Sequence, residues 1–116
     1  MNDPVLDPAR LARLERLGGR ELVNAMIDTF ADAATARRAA LQQAQATGDL
    51  VALADAAHAI VAGAGQLGAT TLATDARLVE EAARVGDPAA ALGRTPALIA
   101  SYDIALAALR QNREAR

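Results

Sequence analysis

A chain of 116 residues, 53% hydrophobic and 22% charged with a formal net charge of −2, reads as one globular domain spanning 1–116. It has no cysteine, which excludes disulfides and thiol chemistry, and no lysine, so all 12 basic residues are arginine. Only Phe30 and Tyr102 are aromatic, and an acidic chain poor in stacking rings is a poor nucleic-acid binder.

Alanine and leucine dominate over β-branched residues, which favours closely packed helices over sheet. The N-terminus carries Asp3 and Asp7 and lacks a basic-then-apolar leader, so a cytoplasmic location is expected. The one long charge-free run, between Asp55 and Asp75, contains a histidine, a glutamine, three glycines and three threonines. That composition suits a packed helix rather than a membrane span.

In chain order, Asp7 is placed to cap a helix with Pro8 at its first position, where a missing N–H costs nothing. Leu6 and Leu11 stand at the spacing of a hydrophobic staple, and Leu11, Leu14 and Leu17 form an apolar edge. Gly18 and Gly19 end this short helix, at about 8–17. A second helical stretch runs from about Arg20 to Ala46, with Leu22, Val23, Met26, Ile27, Phe30 and Leu41 on its stripe. Its alanine-rich middle, Ala31 to Ala36, is a point where it could bend or divide.

Gly48 is a stop and Asp49 a cap, so the next helix, about Leu50 to Leu67, turns back antiparallel. After Gly68 a further helix, about Thr71 to Val85, places Leu72, Ala76, Val79 and Ala83 inward. Gly86, Asp87 and Pro88 are stop, cap and first helical residue. Pro96 leaves two readings open: a short turn followed by a helix capped by Thr95, or one kinked helix. Ile99, Tyr102, Leu106 and Leu109 continue a stripe, and the polar tail from Gln111 is expected to fray. The sum is an all-α, antiparallel up-down four-helix bundle at about 20–113, with a short additional N-terminal helix.

The chemistry concentrates on His58, the only histidine. On a wheel of ~100° per residue, Leu50, Leu53, Ala57, Ile60, Val61, Ala64 and Leu67 share one sector, and His58 lies roughly 110° from its middle. Asp55, Ala62 and Gly65 share its side at i−3, i+4 and i+7. An isolated histidine on a helix is most often an ordinary exposed residue. Here its neighbours are unusual, because glycine on a helix surface costs roughly 1 kcal/mol against alanine. Gly63 and Gly65 therefore suggest close approach by a helix or a partner.

A lone histidine without cysteine or a Glu-x-x-His pair makes no metal site. Ser101 is the only serine and lies on another helix, with nothing in sequence tying it to His58. Nucleophilic attack by a lone side chain asks for less, since an imidazole nitrogen with a free lone pair is a competent nucleophile.

The run Ala57-His58-Ala59-Ile60-Val61-Ala62-Gly63-Ala64, continuing through Leu67-Gly68-Ala69 to Leu72, resembles the signature of histidine-containing phosphotransfer (HPt) domains of bacterial two-component phosphorelays. Leu6-Asp7-Pro8 through Leu17-Gly18-Gly19 is similar to that family's opening, and Ala46-Thr47-Gly48-Asp49 to its lead-in. The resemblance implies a helical bundle in which His58 is the phosphorylated residue. Asp55, Ala59, Val61, Ala62, Gly65 and Gln66 would form the docking surface and immediate surroundings.

It further implies a phosphocarrier with no ATP site, cofactor or kinase activity of its own, with Mg²⁺ held by the partner. Partners would be receiver domains of response regulators or hybrid histidine kinases, met by a monomer. Met1 and the self-contained length favour a domain acting alone.

The chain departs from the signature at two places. Val61 stands where the family commonly has a lysine thought to help hold the phosphoryl group. Ala62 stands where it has a glycine thought to leave room. Any cation must then come from elsewhere, and Arg37 and Arg38 are candidates in sequence. Asp55 is either a hydrogen-bond acceptor fixing the ring tautomer or a solvated surface carboxylate. Gln66 either contacts the partner or faces water. Two other functions compete: an adaptor that docks receivers or kinases without carrying phosphate, and a structural module self-associating through its small-residue face.

Overall fold

A computed structural model describes residues 5–114. Among them there are four helices and no strand: α1 (Pro8–Thr47), α2 (Leu50–Gln66), α3 (Thr70–Arg84) and α4 (Pro88–Glu114). Sequential helices pack side by side, and α1 and α4 close the ring. The expected up-down bundle is therefore the architecture. The expected extra helix is the N-terminal arm of α1. Met1, Asp3 and the last two residues of the tail lie outside the described residues.

Local chemistry sets the boundaries. The Asp7, Asp49 and Asp87 carboxylates accept from Ala9, Ala52 and Ala90 backbone N–H groups at 3.0, 3.0 and 3.1 Å. Each satisfies a donor that a first turn leaves without a helical partner. Gly48 closes α1 in the left-handed conformation at φ 71°. Gly19, at φ 72° and ψ −178°, breaks α1 where the sequence ends its first helix. The alanine-rich middle neither bends sharply nor divides, and Ala34 is buried there.

α4 settles the open choice at Pro96 in favour of one helix running through it. Proline has no N–H, so the Leu92 carbonyl four residues back loses its helical donor. Gln45 of α1 replaces that donor with its side-chain amide, at 3.3 Å. Thr95 is not a cap: it is fully buried and returns its hydroxyl to the Ala91 carbonyl at 2.8 Å. The tail stays helical through Glu114.

The core is aliphatic. Val23, Ile27, Leu41, Leu53, Ile60, Leu67, Leu72, Val79, Leu98 and Leu109 are sealed, with Tyr102 among them. Phe30 meets Tyr102 edge-on at 5.6 Å between ring centres. Leu17 departs from the expected apolar edge: it is 73% exposed, on the rim of a shallow groove it shares with Arg13, Leu14 and Gln66.

Candidate functional site

The histidine helix has a buried stripe and an open back. Leu53, Ala57, Ile60 and Ala64 are buried, with Leu50 and Val61 half-buried at the stripe's edge. His58 stands outside it, its side chain 69% exposed. Ala59, Ala62 and Gln66 are exposed around it, and Gly65 is half-buried. No bulky neighbour on α2 screens the ring.

The ring is oriented from α3. His58 Nδ1 lies 2.9 Å from Glu80 Oε2. An ionised carboxylate can only accept, so Nδ1 carries the proton and donates. Nε2 is left with its lone pair, and no partner engages it among the described residues. Glu80 is itself held: Arg84, one turn on, donates Nε to the same oxygen at 3.1 Å, with Nη2 in ion-pair contact at 3.0 Å. Arg84 Nη2 also lies 3.6 Å from Asp55 Oδ1. Of the two readings of Asp55, tautomer-fixing therefore falls to Glu80 instead, and Asp55 faces the arginine.

Glu80 and Arg84 stand on α3 and His58 on α2, so the periodicity of the histidine's own helix does not reveal them. The signal was present. Two antiparallel helices joined at a tight turn pair residues by reflection through it, and reflecting position 58 through Gly68–Ala69 lands on 78–80. An acid and an arginine at i, i+4 stand there.

Glycines around the site serve different ends. A Cβ at Gly63 would come 2.9 Å from the Phe30 ring, so α1's close approach requires that glycine. A Cβ at Gly65 would meet nothing within 4 Å, while its carbonyl accepts from Arg10 Nη1 at 3.3 Å. Gly68 is left-handed at φ 75°, and a Cβ there would touch the Asp7 carbonyl at 3.0 Å. The Asp7 N–H donates to the Gly68 carbonyl at 2.7 Å, which docks the N-terminal arm onto the end of α2.

On the α1 side of His58 an apolar groove of about 370 Å³ runs between the helices. Met26, Phe30, Ala59, Ala62 and Gly63 line it, with Arg37 and Gln66 among the polar residues there. Arg38 is not near this chemistry: its guanidinium is bound two-pronged to Asp103 of α4 at 3.0 Å each. Val61 packs half-buried against the core. Ser101 donates to Asp75, not to the histidine. No group of three or more His, Cys, Asp or Glu among the described residues could hold a metal ion. No helix there is long and apolar enough to cross a membrane.

Comparison with known proteins follows this geometry. A family model of the Hpt domain matches residues 25–112. The crystal structure of histidine-containing phosphotransfer protein B from Pseudomonas aeruginosa PAO1 superposes with a TM-score of 0.88. It is 29% identical, and the match covers 99% of each chain. No curated protein matches.

Proposed function

The chain belongs to the Hpt domain family, the phosphocarriers of two-component signalling, and from that premise we propose that it relays phosphoryl groups between receiver domains through His58. The observation that carries this reading is the ring itself: exposed, held at Nδ1 by Glu80, with Nε2 unengaged.

In the proposed step the Nε2 lone pair attacks the phosphorus of a receiver's aspartyl phosphate in line. The N–P bond forms as the P–O bond to the aspartate breaks, and the aspartate leaves as a carboxylate. The ring keeps its Nδ1 proton and becomes a phosphoimidazolium, whose positive charge faces the Glu80 carboxylate. Onward transfer reverses the order. A second receiver's aspartate attacks phosphorus, the N–P bond breaks, and the imidazole leaves in its starting tautomer. Mg²⁺ and the general positioning of the phosphoryl group come from the receiver. The small residues Ala59, Ala62 and Gly65 let its surface approach, and the α1–α2 groove offers that surface an apolar seat.

The test is phosphate acceptance. Purified receiver domains, charged with a small-molecule phosphodonor and mixed with the protein, should give it an acid-labile, base-stable label that His58→Ala abolishes. A wild type that takes no label, or a His58→Ala variant that takes as much, defeats the proposal. One observation favours a second reading, the phosphate-free adaptor: Val61 is packed on the core where a lysine would serve the phosphoryl group. Receiver binding without label would select it.

A further inference from the structure

Resting on that reading, we propose that Arg84 is the cation for the phosphoryl group, and that Asp55 holds its place in the unphosphorylated protein. The chain lacks lysine altogether, and Val61 turns toward the core. A dianion brought to His58 would meet Glu80 and Asp55 with no cation on α2 to offset them. A cation supplied by this chain, beside the receiver's Mg²⁺, has to reach the ring from another helix.

Four of the five arginines that donate hydrogen bonds among the described residues are engaged away from the ring. Arg38 is bound to Asp103 and Arg113 to Asp28, both across the α1–α4 seam. Arg20 is bound to Asn24 and Asn112, and Arg10 to the Gly65 carbonyl. Among the described residues Arg84 alone shares an oxygen with the histidine. A hydrogen bond of 2.9 Å and an ion-pair contact of 3.0 Å meeting at Glu80 Oε2 place Nη2 within about 6 Å of Nδ1.

Its two acidic contacts are unequal. Glu80 is only 17% exposed and takes a hydrogen bond from Arg84 Nε beside the ion-pair contact of Nη2. Asp55 is 69% exposed and sits at 3.6 Å, beyond hydrogen-bond reach and screened by water. A phosphoryl group bears more charge than a carboxylate and presents three acceptor oxygens, so it outcompetes the looser partner. Arg84 can keep Glu80 through Nε while Nη2 moves from Asp55 to the phosphoryl oxygens. The exchange makes no covalent change; it swaps one ion-pair partner for another.

The experiment compares acceptance rates and phosphohistidine lifetimes of variants, using a phosphorylated receiver that labels the wild type. Arg84→Ala should lower the rate or the lifetime about tenfold, the scale of one charge-assisted contact. Arg84→Lys should recover part of it. Asp55→Asn should raise rate or lifetime two- to threefold, because the competitor is gone. The deciding arm is Val61→Lys placed in the Arg84→Ala background. A lysine returned beside the ring restores transfer if Arg84 serves the phosphoryl group directly, and restores nothing if it merely steadies Glu80. Failed rescue, an Arg84→Ala variant equal to wild type, or Asp55→Asn equal to or slower than wild type each overturns the proposal. No label on wild type defeats the parent reading instead, so the two failures are distinguishable. All these side chains lie at the surface or its edge, and helical circular dichroism confirms that each variant is folded.

Discussion

At the scale of single residues, reactivity is decided by which nitrogen of one ring holds a proton. Glu80 makes that choice by accepting from Nδ1, so the lone pair resides on Nε2. Glu80→Ala leaves the ring free to take either tautomer and to rotate. Phosphate acceptance should then fall on the order of tenfold, as is typical when the group orienting a reactive histidine is removed. The ¹⁵N shifts of His58 check the cause: wild type should show a pyrrole-like Nδ1, and the variant a mixture. Unchanged shifts with slowed transfer would assign Glu80 a different role. Tyr102 offers a stability counterpart. Its hydroxyl is buried with no hydrogen-bond partner among the described residues, and burial pushes its pKa up despite the nearby Arg37 charge. Tyr102→Phe removes a polar atom that gains nothing from folding. It should stabilise by about 1 kcal/mol in urea denaturation, and a loss of that size would mean the hydroxyl has a partner.

At the scale of helices, two glycines of α2 separate packing from propensity. Gly63→Ala forces a methyl to within 2.9 Å of the Phe30 ring, inside a well-packed seam, and should destabilise by about 1–3 kcal/mol. Gly65→Ala meets open space and should stabilise by up to about 1 kcal/mol through helix propensity alone. Denaturant midpoints of the two variants should move in opposite directions; a shared direction would refute this division. Sequence placed both glycines beside the histidine but could not tell them apart, because the difference lies in Phe30, 33 positions away in the chain. The caps at Asp7, Asp49 and Asp87 were legible because capping is decided within three residues. The buried stripes of α2 and α3 were legible because they follow the helical period. Pro96 was not, since its outcome depends on Gln45 of another helix supplying the missing donor. Leu17 carried the right period yet lies open, because period tells which face is apolar and not how much of it a neighbour covers. Glu80 falls between these cases, readable only once the α2–α3 turn is fixed.

At the scale of the whole molecule, the bundle closes at the α1–α4 seam, the sparsest of its four neighbour seams. Among the described residues two ion pairs bridge it. Arg38 grips Asp103 with bonds of 3.0 Å each, and Arg113 grips Asp28 at 2.6 and 2.9 Å. The arginine hydrogen bonds hold both carboxyls below the usual aspartate range. The folded protein thus resists protonation that the unfolded chain accepts at about pH 3.9. Their contribution is complete above that value and is lost as pH falls through the lowered folded-state values. Both pairs are largely exposed, so the effect is modest and screened by salt. An Asp28→Asn, Asp103→Asn double variant should melt below wild type near neutral pH. The gap should narrow as the solution is acidified below about pH 3.9, where wild type forfeits the same interactions. Titration of every other acid is common to both proteins and cancels in the difference. Thermal melts across this range at low salt decide it. A gap that stays constant into strong acid, or widens there, would show that the seam is held by packing alone and that these four charges merely decorate it.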